Sequence, residues 1–132
     1  MNRIDEIRRL SMKWNDAWNS GQAEQLEAFF LPGSTYYDPT FPDGPAPGRE
    51  GVRACALKTW ADWPRVNFEA VSIIVEGEHA ALEWRTTAQH RSGVAIRLEG
   101  VDLLEWEGQG LRWARTYFDV SLRRAALGEA AR

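Results

Sequence analysis

Asp102 is a lone carboxylate in an otherwise apolar row. From Val94 to Trp106, every second position reads Val94, Ile96, Leu98, Gly100, Asp102, Leu104, Trp106, so a strand over this run would point that carboxyl into the core side of a sheet. Burying an unpaired carboxylate costs several kcal/mol, and the group therefore needs a partner, a ligand or a raised pKa. Two structural alternatives stand beside the functional one. Asp102 could be an ordinary core aspartate held by a backbone N–H or an arginine, or a bulge at Gly100 could turn the face outward. Asp38 is the second candidate. Tyr36, Tyr37, Pro39 and Phe41 surround it with aromatic and apolar surface where a strand breaks into a proline-stiffened loop, the kind of place that carries reactive groups. An Asx turn ahead of Pro39 is its structural alternative. Two carboxyls converging on one cavity would suit acid–base proton transfer.

Other reactive side chains offer less. His90 shares strand parity with Leu82, Trp84, Thr86 and Ala88 but stands beside Arg91-Ser92-Gly93, which favours an exposed or capping role; His79 reads as surface. Two histidines without acidic neighbours at ligand spacing give no metal site, and no cofactor is expected. Cys55 is the only cysteine, so no internal disulfide exists, and a small buried hydrophobe is its expected role. Asp119 shares parity with Leu111, Trp113, Arg115 and Tyr117, with Arg115 as its expected counter-charge. Nucleotide, metalloprotease and serine-hydrolase motifs are missing. Sixteen basic and nineteen acidic residues give a net charge of −3 with no basic stripe, which argues against nucleic acid. The charged start of the chain and the lack of a long apolar run predict a cytoplasmic protein with no membrane span.

The elements that must position these groups change character midway. Ile4, Ile7, Leu10, Trp14, Ala17 and Trp18 recur at helical spacing and stop at Asn19-Ser20-Gly21. Leu26, Phe29 and Phe30 mark a short second helix ended by Pro32-Gly33, and Ser34–Asp38 reads as a brief strand. A loop with four of the six prolines leads to a third helix from about Arg49, carrying Val52, Ala56, Trp60 and Trp63 and closed by Pro64. From there the period is two: Phe68–Glu76, His79–Arg91, Val94–Glu107 and Leu111–Ser121 read as four long strands joined by short glycine connectors, hence an antiparallel meander. Helices followed by strands predict one α+β domain over residues 1–132, with a weakly patterned tail at 123–132 expected to fray. Seven tryptophans in 132 residues point to a large apolar cavity or interface beyond ordinary packing.

In order and spacing, Trp18-Asn19-Ser20-Gly21, Leu26-Glu27-Ala28-Phe29-Phe30, Tyr36-Tyr37-Asp38-Pro39, Gly48-Arg49-Glu50-Gly51-Val52-Arg53 and the hairpin Gly108–Arg112 running into Arg115–Asp119 resemble the nuclear transport factor 2-like superfamily. The resemblance spans about Ile4 to Ser121 and leans to the SnoaL-like and ketosteroid-isomerase-like branch. It implies a cone-shaped barrel in which three N-terminal helices pack on a strongly curved, mostly antiparallel sheet around an apolar pocket, commonly as a homodimer. Asp38 matches the general-base aspartate of ketosteroid isomerases, and Asp102 their protonated aspartic acid, which donates to the developing oxyanion. The isomerase tyrosine falls at Trp14, and the last-strand aspartate of SnoaL-like cyclases falls at Thr116. The implied reaction is cofactor-free proton transfer on a small hydrophobic carbonyl compound, with Asp38 as base, Asp102 and the Trp14 indole on the enolate oxygen, and Trp18, Tyr36, Phe41, Trp60, Trp63, Trp84, Leu104 and Tyr117 around the substrate. The alternatives are a non-catalytic hydrophobic-ligand or interaction module, and an epoxide-hydrolase-like Asp-Arg-Asp relay through Arg85 or Arg115.

Overall fold

Asn2 opens the first helix: its side chain accepts the Asp5 N–H at 2.8 Å, and Asp5 and Glu6 meet the positive end of the helix dipole, so α1 runs Arg3–Trp18. The computed structural model describes residues 1–128. Ile7, Leu10, Trp14, Ala17 and Trp18 form the buried stripe of α1. A short helix α2 (Ala23–Glu27) follows, then β1 (Phe30–Tyr37), β2 (Ala46–Pro47) and α3 (Gly48–Asp62). The meander is β3 (Phe68–Glu76), β4 (His79–Gln89), β5 (Ala95–Glu107) and β6 (Gly110–Phe118), and α4 (Val120–Ala126) closes the described chain.

All six strands form one curved sheet in the order β2-β1-β6-β5-β4-β3. Every pairing is antiparallel except β1 with β6. Gly77 and Gly108, at φ +58° and +60°, each take the first position of a two-residue hairpin turn, where the twist of the flanking strands demands positive φ. α1 lies against β3 and β4, and α3 against β1. This builds a closed end around Ile7, Leu10, Trp14, Leu26, Leu104 and Trp106. A second, smaller apolar cluster of Trp63, Ala88 and Ile96, joined by Val66, Leu98 and Leu127, lies toward the other end.

Three elements differ from the sequence expectation. The second helix stops at Glu27, and Phe30 already belongs to β1. Between Phe30, opposite Leu111, and Thr35, opposite Trp113, β1 carries more residues than β6; the surplus bulges outward at Pro32, which has no N–H to pair, and Gly33, at φ +75°. Asp119 is not paired with Arg115. It caps α4, accepting the Ser121 N–H at 2.9 Å, and the Ser121 hydroxyl holds its carboxyl below the usual aspartate value. The expected tail therefore begins as a helix, while positions 129–132 lie outside the described residues. No helix among the described residues is long and apolar enough to cross a membrane.

Candidate active site

Asp102 lies on β5 between Leu82 of β4 and Thr116 of β6, with 5% of its surface exposed. The alternation read from the sequence places it on the inner face, and Gly100 introduces no bulge: Trp84 pairs opposite Gly100 and Leu82 opposite Asp102 in an unbroken ladder. Gly100 has another task. A Cβ there would sit 2.6 Å from the Tyr117 carbonyl oxygen and inside the Trp84 ring, so only glycine lets that indole lie across the strand. Trp84 uses the space to donate its N–H to Asp102 Oδ1 at 3.0 Å. Trp14 of α1 donates to Oδ2 at 2.9 Å, and the Thr116 hydroxyl donates to Oδ1 at 2.9 Å.

These contacts change the protonation picture. Burial raises the Asp102 pKa from 3.8 to about 6; the donors from Trp14, Thr116 and Trp84 oppose that rise, and the charge of Asp38 adds to it. Indole N–H groups only donate, so the carboxyl is held as an acceptor. Three donors on its two oxygens favour the ionised form, whereas the resemblance implied a neutral hydrogen-bond donor. Trp14 is wholly buried and committed to Asp102, so its indole does not reach a ligand as expected and instead positions the carboxyl. The hydroxyl proton of Thr116 goes to Asp102, so it is Tyr36 that donates to Thr116 Oγ1, at 3.0 Å. Burial keeps the Tyr36 phenol protonated.

Asp38 follows directly on β1 and is equally buried. Its Oδ1 accepts the Thr40 N–H at 2.9 Å and the Thr40 hydroxyl at 2.6 Å, which is the Asx turn that the sequence offered as an alternative. The turn does not remove Asp38 from the cavity; it fixes the carboxyl at the cavity wall with Oδ2 met, among the described residues, only by the Cys55 thiol, at 3.4 Å. Cys55 thus has a polar partner beyond its expected packing role, and burial together with the Asp38 charge pushes its thiol up and keeps it protonated.

Asp38 and Asp102 face one cavity of about 630 Å³, large enough for a drug-sized molecule. Trp18, Tyr36, Phe41, Trp63 and Trp84 line it, as expected. Three expected lining residues do not. Leu104 is sealed in the closed end, and Trp60 packs behind Trp18 with its N–H on the Trp18 carbonyl. Tyr117 is on the outer face, 40% exposed. The cause is a bulge in β6. Leu111 pairs with Trp106 and Trp113 with Glu105, which leaves Arg112 as an extra residue and reverses parity beyond it. Thr116 and Phe118 therefore face inward, while Arg115 stacks on Trp113 outside. Arg85 pairs with Glu69 on the same outer side, so neither arginine proposed for an Asp-Arg-Asp relay reaches Asp102. His90 is half-buried at the cavity edge against Trp63, and its Nδ1 accepts the Ser92 N–H. Sequence reading missed Thr116 as a ligand of Asp102, because nothing in Gly108–Arg112 announces the extra residue. It also missed Lys58, Arg91, Arg123 and Arg124, which line the cavity from separate elements. Among the described residues, no three His, Cys, Asp or Glu side chains are grouped to hold a metal ion.

A family model described as the SnoaL-like domain matches residues 12–116. The chain belongs to the SnoaL-like family. The fold of this SnoaL-like protein is shared by solved structures of low identity. A proposed SnoaL-like polyketide cyclase from Jannaschia sp. CCS1 superposes with a TM-score of 0.84 at 15% identity, covering 99% of this chain and 98% of that one. AclR, a proposed hydroxylase from Streptomyces galilaeus, gives 0.82 at 18% identity over 97% of this chain and 84% of its own. A hypothetical protein from Catenulispora acidiphila DSM 44928 with a ketosteroid isomerase-like fold, solved with trimethylamine, gives 0.80 at 20% identity over 92% of this chain and 93% of its own. Comparison with curated protein sequences gave no match.

Proposed function

We propose that this SnoaL-like protein transfers a proton at the carbon next to a carbonyl group of a small hydrophobic ligand, with the Asp102 carboxylate as the base. The observation that carries the reading is the Asp102 carboxyl itself: buried, facing a cavity and held by donors from three elements, with its pKa raised to about 6. A general base works best when its pKa lies near the working pH, and typically contributes 10²–10⁴-fold. Asp38 faces the same space as the second acid–base group, so the two carboxyls named from the sequence are kept and the proton-abstracting role moves to Asp102. Tyr36, Trp18 and Trp84 give the ligand an aromatic wall and keep bulk water from the carboxyl. The family and the proposed cyclase among its structural neighbours fit an isomerase- or cyclase-type reaction.

The test is solvent exchange. Aryl ketones and β,γ-unsaturated ketones incubated in deuterated water should exchange their acidic C–H faster with the protein than without it. Because the base must be ionised, the rate should rise with pH and level off above about 6. Asp102→Asn should lower it by roughly 10²–10⁴-fold; an unchanged rate would remove Asp102 from the reaction. A binding cavity without chemistry is the second reading, and it draws on how fully both carboxyls are already engaged. That reading expects ligand uptake without exchange. A second copy of the chain is the expected partner, supported by exposed Ile74 and Tyr117 on the outer sheet face; sedimentation at micromolar concentration tests it.

A further inference from the structure

The chain is net acidic, yet the mouth of its cavity is not. Lys58 from α3, Arg91 from the β4–β5 turn and Arg123 and Arg124 from α4 line it, with Asp62 as the one carboxylate among them. Asp62 is already occupied, by Lys58 at 2.8 Å and Arg91 at 3.7 Å. The Arg123 guanidinium lies 5.2 Å over the Phe118 ring, and no carboxylate among the described residues pairs with Arg123 or Arg124. Both arginines are half-buried, because α4 is held over the cavity edge by Leu127 packed on the cluster of Trp63, Ala88 and Ile96. The two buried carboxyls, Asp38 and Asp102, lie deeper, beyond aromatic walls. The cavity is therefore polarised: cations at its edge, carboxylates within and apolar surface between.

We propose that the ligand of this cavity is an aromatic or alicyclic carbonyl compound carrying an anionic group, a carboxylate, phosphate or sulfonate, which stays at the mouth against Arg123, Arg124 and Arg91. The proposal deepens the proton-transfer reading and rests on it for the carbonyl. The same polarity fixes the direction of entry. An anionic tail is repelled by the inner carboxylates and attracted by the edge arginines, so the uncharged carbonyl end enters first and arrives beside Asp102. Guanidinium groups suit this task because their fork matches two oxygens of one anion.

The decisive measurement is calorimetric binding of naphthoylpropionate and of its primary amide, which share a body and a ketone and differ in the charge of the tail. The carboxylate should bind the wild-type protein about tenfold more tightly than the amide at low ionic strength, an advantage that shrinks at about 0.5 M salt. Arg123→Gln combined with Arg124→Gln should bring the two probes to within about twofold of each other while amide binding is retained. Arg91→Gln, on a different element, should reduce the preference without touching α4; if the double variant loses amide binding through damage to α4, this variant decides. Equal affinities in the wild-type protein, binding of neither probe, or a preference that survives in the variants would overturn the proposal. None of these readings needs turnover, so failed exchange with intact anion preference would sink the chemistry alone. Exchange without anion preference would sink the ligand class alone.

Discussion

The inner face of β5 passes through two environments within a few residues. Toward the closed end, Leu104 and Trp106 are almost wholly buried, and the Trp106 indole gives its N–H to the Ser11 hydroxyl at 3.2 Å. One step toward the open end, Asp102 draws the indoles of Trp14 and Trp84 onto a carboxylate. The closed end satisfies a polar atom with a neutral partner of matched need. The open end gathers more donors than packing requires around a group that burial alone would neutralise. The same side-chain type thus serves stability at one end and the protonation of a buried carboxyl at the other.

The sharpest way to break this contrast is at the closed end. Trp106→Ala should cost about 3–5 kcal/mol of unfolding free energy in denaturant titration, because the cavity left under Phe29 and Leu111 cannot collapse. A loss below ~1 kcal/mol would mean that the closed end is not the tightly packed part of the molecule. Next in size is the pH dependence of Asp102. Its proton is held more tightly in the folded state, with a pKa of about 6, than in the unfolded chain near 3.8. Stability relative to an Asp102→Asn variant should therefore fall as pH rises from about 4 through about 6, by at most ~3 kcal/mol, and stay level above that. Urea unfolding of both proteins across this range measures it, and a rising slope would contradict the raised pKa. The smallest effect is expected from Thr116→Val, which removes one donor from Asp102 and strands the Tyr36 hydroxyl, at about 1–2 kcal/mol. Carboxyl carbon NMR should then show Asp102 titrating above its wild-type value, since the Thr116 hydrogen bond favours the ionised form.

The two ends also differ in how far the amino-acid order announces them. The helical stripe of α1 and the alternation of β4 and β5 impose a period that burial obeys, so Trp14, Trp84 and Asp102 are placed on inner faces from pattern alone. Phe29 and Phe30 fit a helix end or a strand start equally well by apolarity, and the decision falls to the parallel partner β6, which lies some eighty residues away in sequence. Thr116 in place of Tyr117 depended on one unpaired residue that no composition signals. The basic mouth is illegible for another reason: its members come from α3, a turn and α4, and only the closed fold brings them together.

The extra residue at Arg112 matters for the proposed reaction as well as for geometry. Were the hairpin to close without that surplus position, Arg115 would come opposite Asp102, and its guanidinium would bind the carboxylate as a permanent ion pair, ionised far into acid. The difference between the proposed proton-exchanging carboxyl and an inert structural couple would then come down to where one strand spends a single step of backbone.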